Sequence, residues 1–402
     1  MIPKGWETTK IGSITDLING RGFKSTEWSN DGLPIIRIQN LNGSKEFNYT
    51  NVQVEKKHII NKGDLLFAWS GNRGTSFGPF LWNGVPGALN QHIFKLDNIK
   101  RFDTKFLFFA LKQITQKIEN NAHGASGLVH IKKSDFVEFE IPVPPLPEQK
   151  RIAEILTSVD DAIHATEKVI DQTKRVKQGL LQELLTRGIG HTKFKMTEIG
   201  EIPEGWDVVS IGDLCNVIDP QPDHRTPKED LGGIPYVGMG DLAENGKINF
   251  DGCRHVIKSA LNKQIDSFNI DDGAFIFGKI GTIGNPTRIP KDRFFALSAN
   301  LVLITGKNQG NLDYLFFVLQ SKLISSQISM LTNSTSQPAL GIKKVRSFRC
   351  PLPSSSERTR FVEKLKFMDE ILDSNQDDLR SLLKIKSGLM QDLLTGKVRV
   401  EG

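Results

Sequence analysis

Two stretches of the chain, 148–186 and 357–395, contain no proline and place apolar side chains at intervals that alternate between four and three residues. In the first the series runs Ile152, Leu156, Val159, Ile163, Thr166, Ile170, Thr173, Lys177, Leu180, Leu184. In the second it runs Phe361, Leu365, Met368, Leu372, Asn375, Leu379, Leu382, Lys386, Leu389, Leu393. A repeat of 3.5 residues predicts two long helices, each with a coiled-coil seam. At 1.5 Å per residue each would be about 58 Å long. The two series are related by a shift of 209 and turn polar at the same places, Thr166 with Asn375 and Lys177 with Lys386.

Such a seam needs a partner, and the other copy in the same chain supplies one. Antiparallel pairing would set face to face residues whose numbers sum to 546, placing Lys177 beside Asp369 and Lys386 beside Asp160. Ion pairs there would fix the register, as polar seam residues do; the alternative is that both lysines extend to water. A stalk between two chains, or outer faces that bind other proteins, would use the same helices. Gly179 and Gly388 sit at equivalent positions inside them, where glycine costs about 1 kcal/mol relative to alanine. They are either tolerated or mark close approach of another backbone.

Outside the helices the pattern changes to short apolar runs bounded by Gly, Asn, Asp and Pro, which read as strands and turns. These runs also occur twice. "IPKGW" (2–6) returns as "IPEGW" (202–206), "LPIIRIQNL" (33–41) as "IPYVGMGDL" (234–242), and "GDLLFAWSGNRG" (63–74) as "GAFIFGKIGTIG" (273–284). "FLFFALK" (106–112) returns as "YLFFVLQ" (314–320), "HIKK" (130–133) as "GIKK" (341–344), and "KQGLLQELLT" (177–186) as "KSGLMQDLLT" (386–395). The order never changes, so the chain is a tandem duplication of a unit of about 200 residues. The division is 1–147 for the first domain, 148–199 for a helix and linker, 200–353 for the second domain and 354–402 for the last helix. Each domain reads as α+β, its helical segment being "FLFFALKQITQKIENN" or "YLFFVLQSKLISSQI".

Composition narrows the function without choosing it. A net charge of +6 permits a nucleic-acid partner but does not argue for one, since 1–147 carries 18 basic and 13 acidic side chains and 200–353 carries 16 of each. Any electrostatic footprint must therefore be local. Three scattered cysteines, Cys215, Cys253 and Cys350, read as reduced thiols in a cytoplasmic protein. No apolar run approaches the roughly 18 residues that would span a bilayer, so no membrane partner is expected.

Catalytic signatures are missing. "GKIGTIGN" has the glycines of a phosphate loop without the Lys-Ser/Thr. "DPQP" (219–222) is not the tetrapeptide with which amino-methyltransferases hold a flipped base, and the eight histidines show no metal-ligand spacing. "EKK" (55–57) and "EKLK" (363–366) are fragments that any Lys- and Glu-rich chain contains. A stand-alone nuclease is thereby disfavoured, and no catalytic or metal residue is assigned.

What the repeats do offer is polar loops at matching places. After the opening strand come "NGRGFKSTEW" with Arg21 and Lys24, and "DPQPDHRTPKE" with His224 and Arg225. After an apolar strand come "SGNRGTSFG" with Ser70, Asn72, Arg73 and Ser76, and "KIGTIGNP" with Lys279, Thr282 and Asn285. Before the last strand come "HGASGLVHIKK" with His130, Lys132 and Lys133, and "STSQPALGIKK" with Gln337, Lys343 and Lys344. Lys and Arg neutralise phosphates, while Arg, Asn, Gln, Ser and His read base edges. Shared placement with divergent content is what one scaffold reading two different half-sites would show; as ordinary surface loops they would need glycine only for turn geometry.

Two variable α+β domains, each opening "IPxGW" and closing into a long helix, resemble the specificity subunit of type I restriction–modification systems. The match spans nearly the whole chain and is carried by "IPKGW", "GDLLFAWSG", "IPVPPLPEQKRIAEILTSVDDAI" and "KQGLLQELLTRGIG". The second copy departs from it, with "PLPSSSERTRF" in place of "PPLPEQKRI", which is expected to lose the Glu-Gln and alter a helix cap or one partner contact. The resemblance implies two target recognition domains separated by an intramolecular antiparallel coiled coil with pseudo-twofold symmetry. It implies an asymmetric bipartite target in double-stranded DNA, two methyltransferase subunits docked on the helices, and restriction/translocase subunits. No cofactor is implied on this chain; S-adenosylmethionine, ATP and Mg would belong to partners. The rival readings are a specificity chain serving a fused methyltransferase–nuclease, and a coiled-coil scaffold that ignores DNA.

Overall fold

The computed structural model describes residues 3–124, 127–223, 225–243, 246–270, 272–307, 312–332 and 339–400. The chain divides into two compact units, Met1–Lys168 with Asp377–Gly402 and Val169–Gln376. Both long helices form, Leu146–Thr186 and Ser355–Leu394. Each unit thus holds a domain, the first part of the helix that follows it and the last part of the other helix.

In the first unit a four-stranded antiparallel sheet runs in the order Asp16–Asn19, Ile93–Asp97, Leu65–Ala68, Gly78–Leu81. A second sheet orders Asn48–Thr50, Leu33–Ile36, Gly87–Leu89, Ile59–Ile60. The helix Thr104–Asn121 starts at Asp103, whose carboxylate accepts from the Phe106 N–H at 2.9 Å. It buries Phe106, Leu107, Phe109 and Leu111. In the same core lie Ile152 and Leu156 from one long helix and Leu393 and Leu394 from the other.

The second unit repeats this plan. Its four-stranded sheet orders Cys215–Ile218, Leu301–Gly306, Phe275–Gly278, Gly284–Arg288. Leu181, Leu184, Phe361 and Leu365 of the long helices complete its core with Tyr314 and Phe317. Two differences stand out. The helical segment is broken into Leu312–Val318 and Lys322–Thr332, where Ser321 turns its hydroxyl onto the Val318 carbonyl at 2.6 Å. The second sheet is three-stranded, Arg254–Val256, Glu229–Val237, Ala296–Leu297.

Within each unit the helix segments run antiparallel in the expected register. Lys177 Nζ lies 2.5 Å from Asp369 Oδ1 in the second unit, and Lys386 pairs with Asp160 in the first. Neither lysine extends to water; their side chains are 14% and 16% exposed. Every seam position is buried or half-buried. Two of the polar ones bond back to their own helix, Thr166 Oγ1 to the Ala162 carbonyl and Asn375 Nδ2 to that of Ile371. Beside Lys177, Gln320 Oε1 accepts at 3.1 Å. The equivalent neighbour of Lys386 is Lys112, whose ammonium is pushed below its ordinary value by loss of water and then by the like charge of Lys386.

Of the two readings of Gly179 and Gly388, tolerance is the one that holds: outside the helix's own backbone, no heavy atom of the described residues lies within 4 Å of an added Cβ. One expectation is corrected: the glutamate expected to be lost in the second copy is kept. Three residues are inserted after "PLP", so Glu357 stands where Glu148 does, at the shift of 209 that relates the seams. Both accept from the tryptophan of their "IPxGW" motif, Trp6 Nε1 to Glu148 at 3.1 Å and Trp206 Nε1 to Glu357 at 3.0 Å. Only Gln149 has changed, to Arg358; its guanidinium donates to the Pro353 carbonyl, whereas Gln149 donated to Pro144.

Candidate nucleic-acid interface

In each four-stranded sheet the first and third strands run parallel to one another, because both are antiparallel to the strand between them. Their carboxyl ends therefore lie at the same edge. In the first unit that edge carries Gly20–Glu27 after one strand and Ser70–Ser76 after the other. Ser70–Asn72 then pairs with Leu128–His130 in a two-stranded ribbon, Ser70 opposite His130 and Asn72 opposite Leu128. All three candidate loops of this unit thus meet at one place. In the second unit the loops after Ile218 and Gly278 share an edge in the same way, and an isolated bridge from Ile280 to Ala339 brings in the third.

Of the candidate residues at the first edge, Lys24, Asn72, Arg73, His130, Lys132 and Lys133 are exposed. Arg73 donates to the Glu119 carbonyl at 2.9 Å, and Lys133 Nζ to that of Leu17 at 2.7 Å, which anchors both without burying them. Arg21 is paired with Glu27 and lies over the Phe23 ring at 4.8 Å. Ser70 is half-buried, and Ser76 Oγ closes its own turn by accepting from the Asn72 N–H at 2.7 Å.

At the second edge Arg225, Thr282, Lys343 and Lys344 are exposed, Lys344 Nζ donating to the Leu331 carbonyl at 3.0 Å. The loop bearing Arg225 is braced from beneath. Tyr236 Oη donates to Gln221 Oε1 at 2.5 Å, and burial pushes this hydroxyl above its ordinary value, so it remains a donor. His224 and Gln337 lie outside the described residues.

One assignment to the DNA-facing set is corrected. Lys279 is 4% exposed, and its ammonium is held by Asp219 at 2.6 Å, so it is spent on an internal ion pair. Asn285, half-buried with φ 53°, donates its amide to the Ala243 carbonyl at 3.3 Å. Asn19, Trp69 and Asp219, absent from the candidate set, also lie at these edges, Trp69 bonded to Asn19 and Asp219 to Lys279. The signal was available: Trp69 aligns with Lys279 and Asn19 with Asp219, a paired change of donor and acceptor.

Among the described residues no His, Cys, Asp and Glu side chains cluster in a way that could hold a metal ion. The three cysteines are free and buried, and burial pushes each thiol up to about 12, so none offers a thiolate nucleophile. Among the same residues no helix is long and apolar enough to cross a membrane. The edges therefore offer cations, amides and hydroxyls suited to holding phosphates and base edges.

A family model described as the type I restriction modification DNA specificity domain matches residues 3–175 and again 203–384. Among curated relatives, the MjaVIII type I restriction enzyme specificity subunit of Methanocaldococcus jannaschii is 27% identical over all of this chain and 94% of its own length. The EcoKI specificity subunit of Escherichia coli K12 is 22% identical over all of this chain and 90% of its own. A solved type I restriction–modification S subunit from M. genitalium superposes with a TM-score of 0.60 at 18% identity, over 98% of this chain and 96% of that one.

Proposed function

Since this chain belongs to the family of type I restriction–modification DNA specificity proteins, we propose that each of its two units reads one half of a bipartite double-stranded DNA target. The loops converging at the end of each four-stranded sheet do the reading. The observation that carries this is the convergence itself: three loops that are separate in sequence meet at one edge in both units, at equivalent places and with unlike side chains. Unlike side chains on like scaffolds read unlike halves, so the target is asymmetric. Phosphate contacts from Lys24, Arg73, Lys132, Lys343 and Lys344 set the position, and Asn72, His130, Arg225 and Thr282 are the candidates for base edges.

The outer faces of the paired helices dock two methyltransferase subunits, and the helices fix the gap between the two readings. Methylation of adenine with S-adenosylmethionine, and ATP- and Mg-dependent translocation and cleavage, belong to those partners and to the restriction subunits, all in the cytoplasm. A scaffold without DNA binding is not favoured for a chain of a DNA specificity family. The test is a methylation map of a host carrying this chain with its neighbouring methyltransferase, beside a host lacking only this chain. The expected result is one motif of two short, dissimilar halves with a fixed gap, absent from the control. A folded, active methyltransferase that yields no such motif with this chain would overturn the reading.

A further inference from the structure

Beneath each reading edge one residue ties the three loops together. In the first unit it is Trp69. Its Nε1 donates to Asn19 Oδ1 at 3.0 Å, its backbone N–H to the His92 carbonyl at 3.2 Å, and its carbonyl accepts from the Ile131 N–H at 2.9 Å. In the second unit it is Lys279. Its Nζ donates to Asp219 Oδ2 at 2.6 Å, its backbone N–H to the Asn300 carbonyl at 2.9 Å, and its carbonyl accepts from the Leu340 N–H at 2.7 Å. The six partners are equivalent in pairs by their place in the fold: Asn19 with Asp219 and His92 with Asn300 by strand register, and Ile131 with Leu340 by the bond each donates, two residues away from the match of "HIKK" with "GIKK".

The geometry is thus kept while the chemistry is not. An indole on a carboxamide in one unit is an ammonium on a carboxylate in the other. If the position needed only to fill space, an apolar residue would serve, as it does at Phe67, Ala68 and Phe277 just before. A buried ion pair is also no general source of stability, and the neutral pair shows that the fold does not require charge there. What both units retain is a side-chain bridge from the second loop to the first, at the root of both.

We propose that Trp69 and Lys279 are the positioning residues of the two edges, each setting how the three loops of its unit are presented to DNA. This rests on the DNA-reading role proposed above. It assigns a separate control to each half of the target: Trp69–Asn19 for one, Lys279–Asp219 for the other.

The test uses the full chain assembled with its methyltransferase. Trp69→Phe keeps the ring and removes the N–H. Lys279→Met strands the carboxylate of Asp219, so Lys279→Met with Asp219→Leu is made beside it; the double variant removes the bridge without leaving a buried charge unpaired. Thermal melting and co-purification with the methyltransferase confirm folding. Expected for the double variant is a rise on the order of tenfold in methylation of sites mismatched in the half read by the second unit, relative to correct sites, with the other half as strict as before. Trp69→Phe should relax the opposite half. Folded variants with both halves unchanged, or both loosened together, would overturn the proposal. A wild-type complex with no bipartite motif removes the function reading and this inference with it, whereas a normal wild-type motif with unchanged variants removes the inference alone.

Discussion

Four glycines in or next to the long helices show how one residue type serves opposite ends. Gly188 and Gly396 follow the two helix ends with φ of +65° and +71°, and an added Cβ would run into Trp206 in one case and Pro3 in the other. Alanine at either position should destabilise its unit by more than about 1 kcal/mol. Gly179 and Gly388 lie mid-helix against open space, so alanine there should stabilise by about 1 kcal/mol. Denaturant midpoints of the four variants check both signs. Near Gly396, Glu148 is held below its ordinary carboxylate value; burial pushes it up, but bonds from Arg399 and Trp6 outweigh that. A lowered value contributes stability that is present above the unfolded value and lost as pH falls through the folded one. The midpoint difference between wild type and Glu148→Gln should therefore shrink as pH drops below the ordinary value of 4.5. Single residues were the least legible part of the sequence. Lys279 reads as a phosphate contact because a lysine in a glycine-rich loop carries no sign of its burial. Only its alignment with Trp69 betrays a shared structural task.

The long helices were the most legible elements, because a 3.5-residue repeat and a constant shift fix both the seam and its register. Their polar interruptions were legible too: Lys177 and Lys386 find Asp369 and Asp160 within their own units. Reversing one charge, as in Lys177→Asp, should cost about 1–3 kcal/mol, less than a fully buried pair because Asp369 keeps 36% exposure. Lys177→Asp with Asp369→Lys should recover most of that loss in a denaturant melt. If the single reversal costs nothing, the pair does not hold the register. The strands were legible as runs but not as sheets. The pairing of Ser70–Asn72 with Leu128–His130 joins segments more than 50 residues apart, and no local pattern announces it. The broken helix at Ser321 was hidden for a different reason, since "YLFFVLQSKLISSQI" keeps its apolar spacing through the break.

At the scale of the whole molecule, duplication explains why the same parts recur with different surfaces. The Trp–Glu bond, the helix pairing and the three-loop junction appear in both units. Apart from the lysine pair that recurs in "HIKK" and "GIKK", the exposed loop side chains differ. A core common to both and edges particular to each is the arrangement in which specificity changes one half at a time, because the edges can vary while the cores and helices stay fixed. The most direct measurement is therefore an exchange. Residues 1–147 are replaced by the matching segment of a relative with a different methylation motif that keeps the opening tryptophan, and the motif written by the assembled complex is read genome-wide. One half should change to that of the donor, with the other half unchanged. Loss of both halves, or retention of both, in a chain that still folds and assembles would contradict the assignment of one half to each unit.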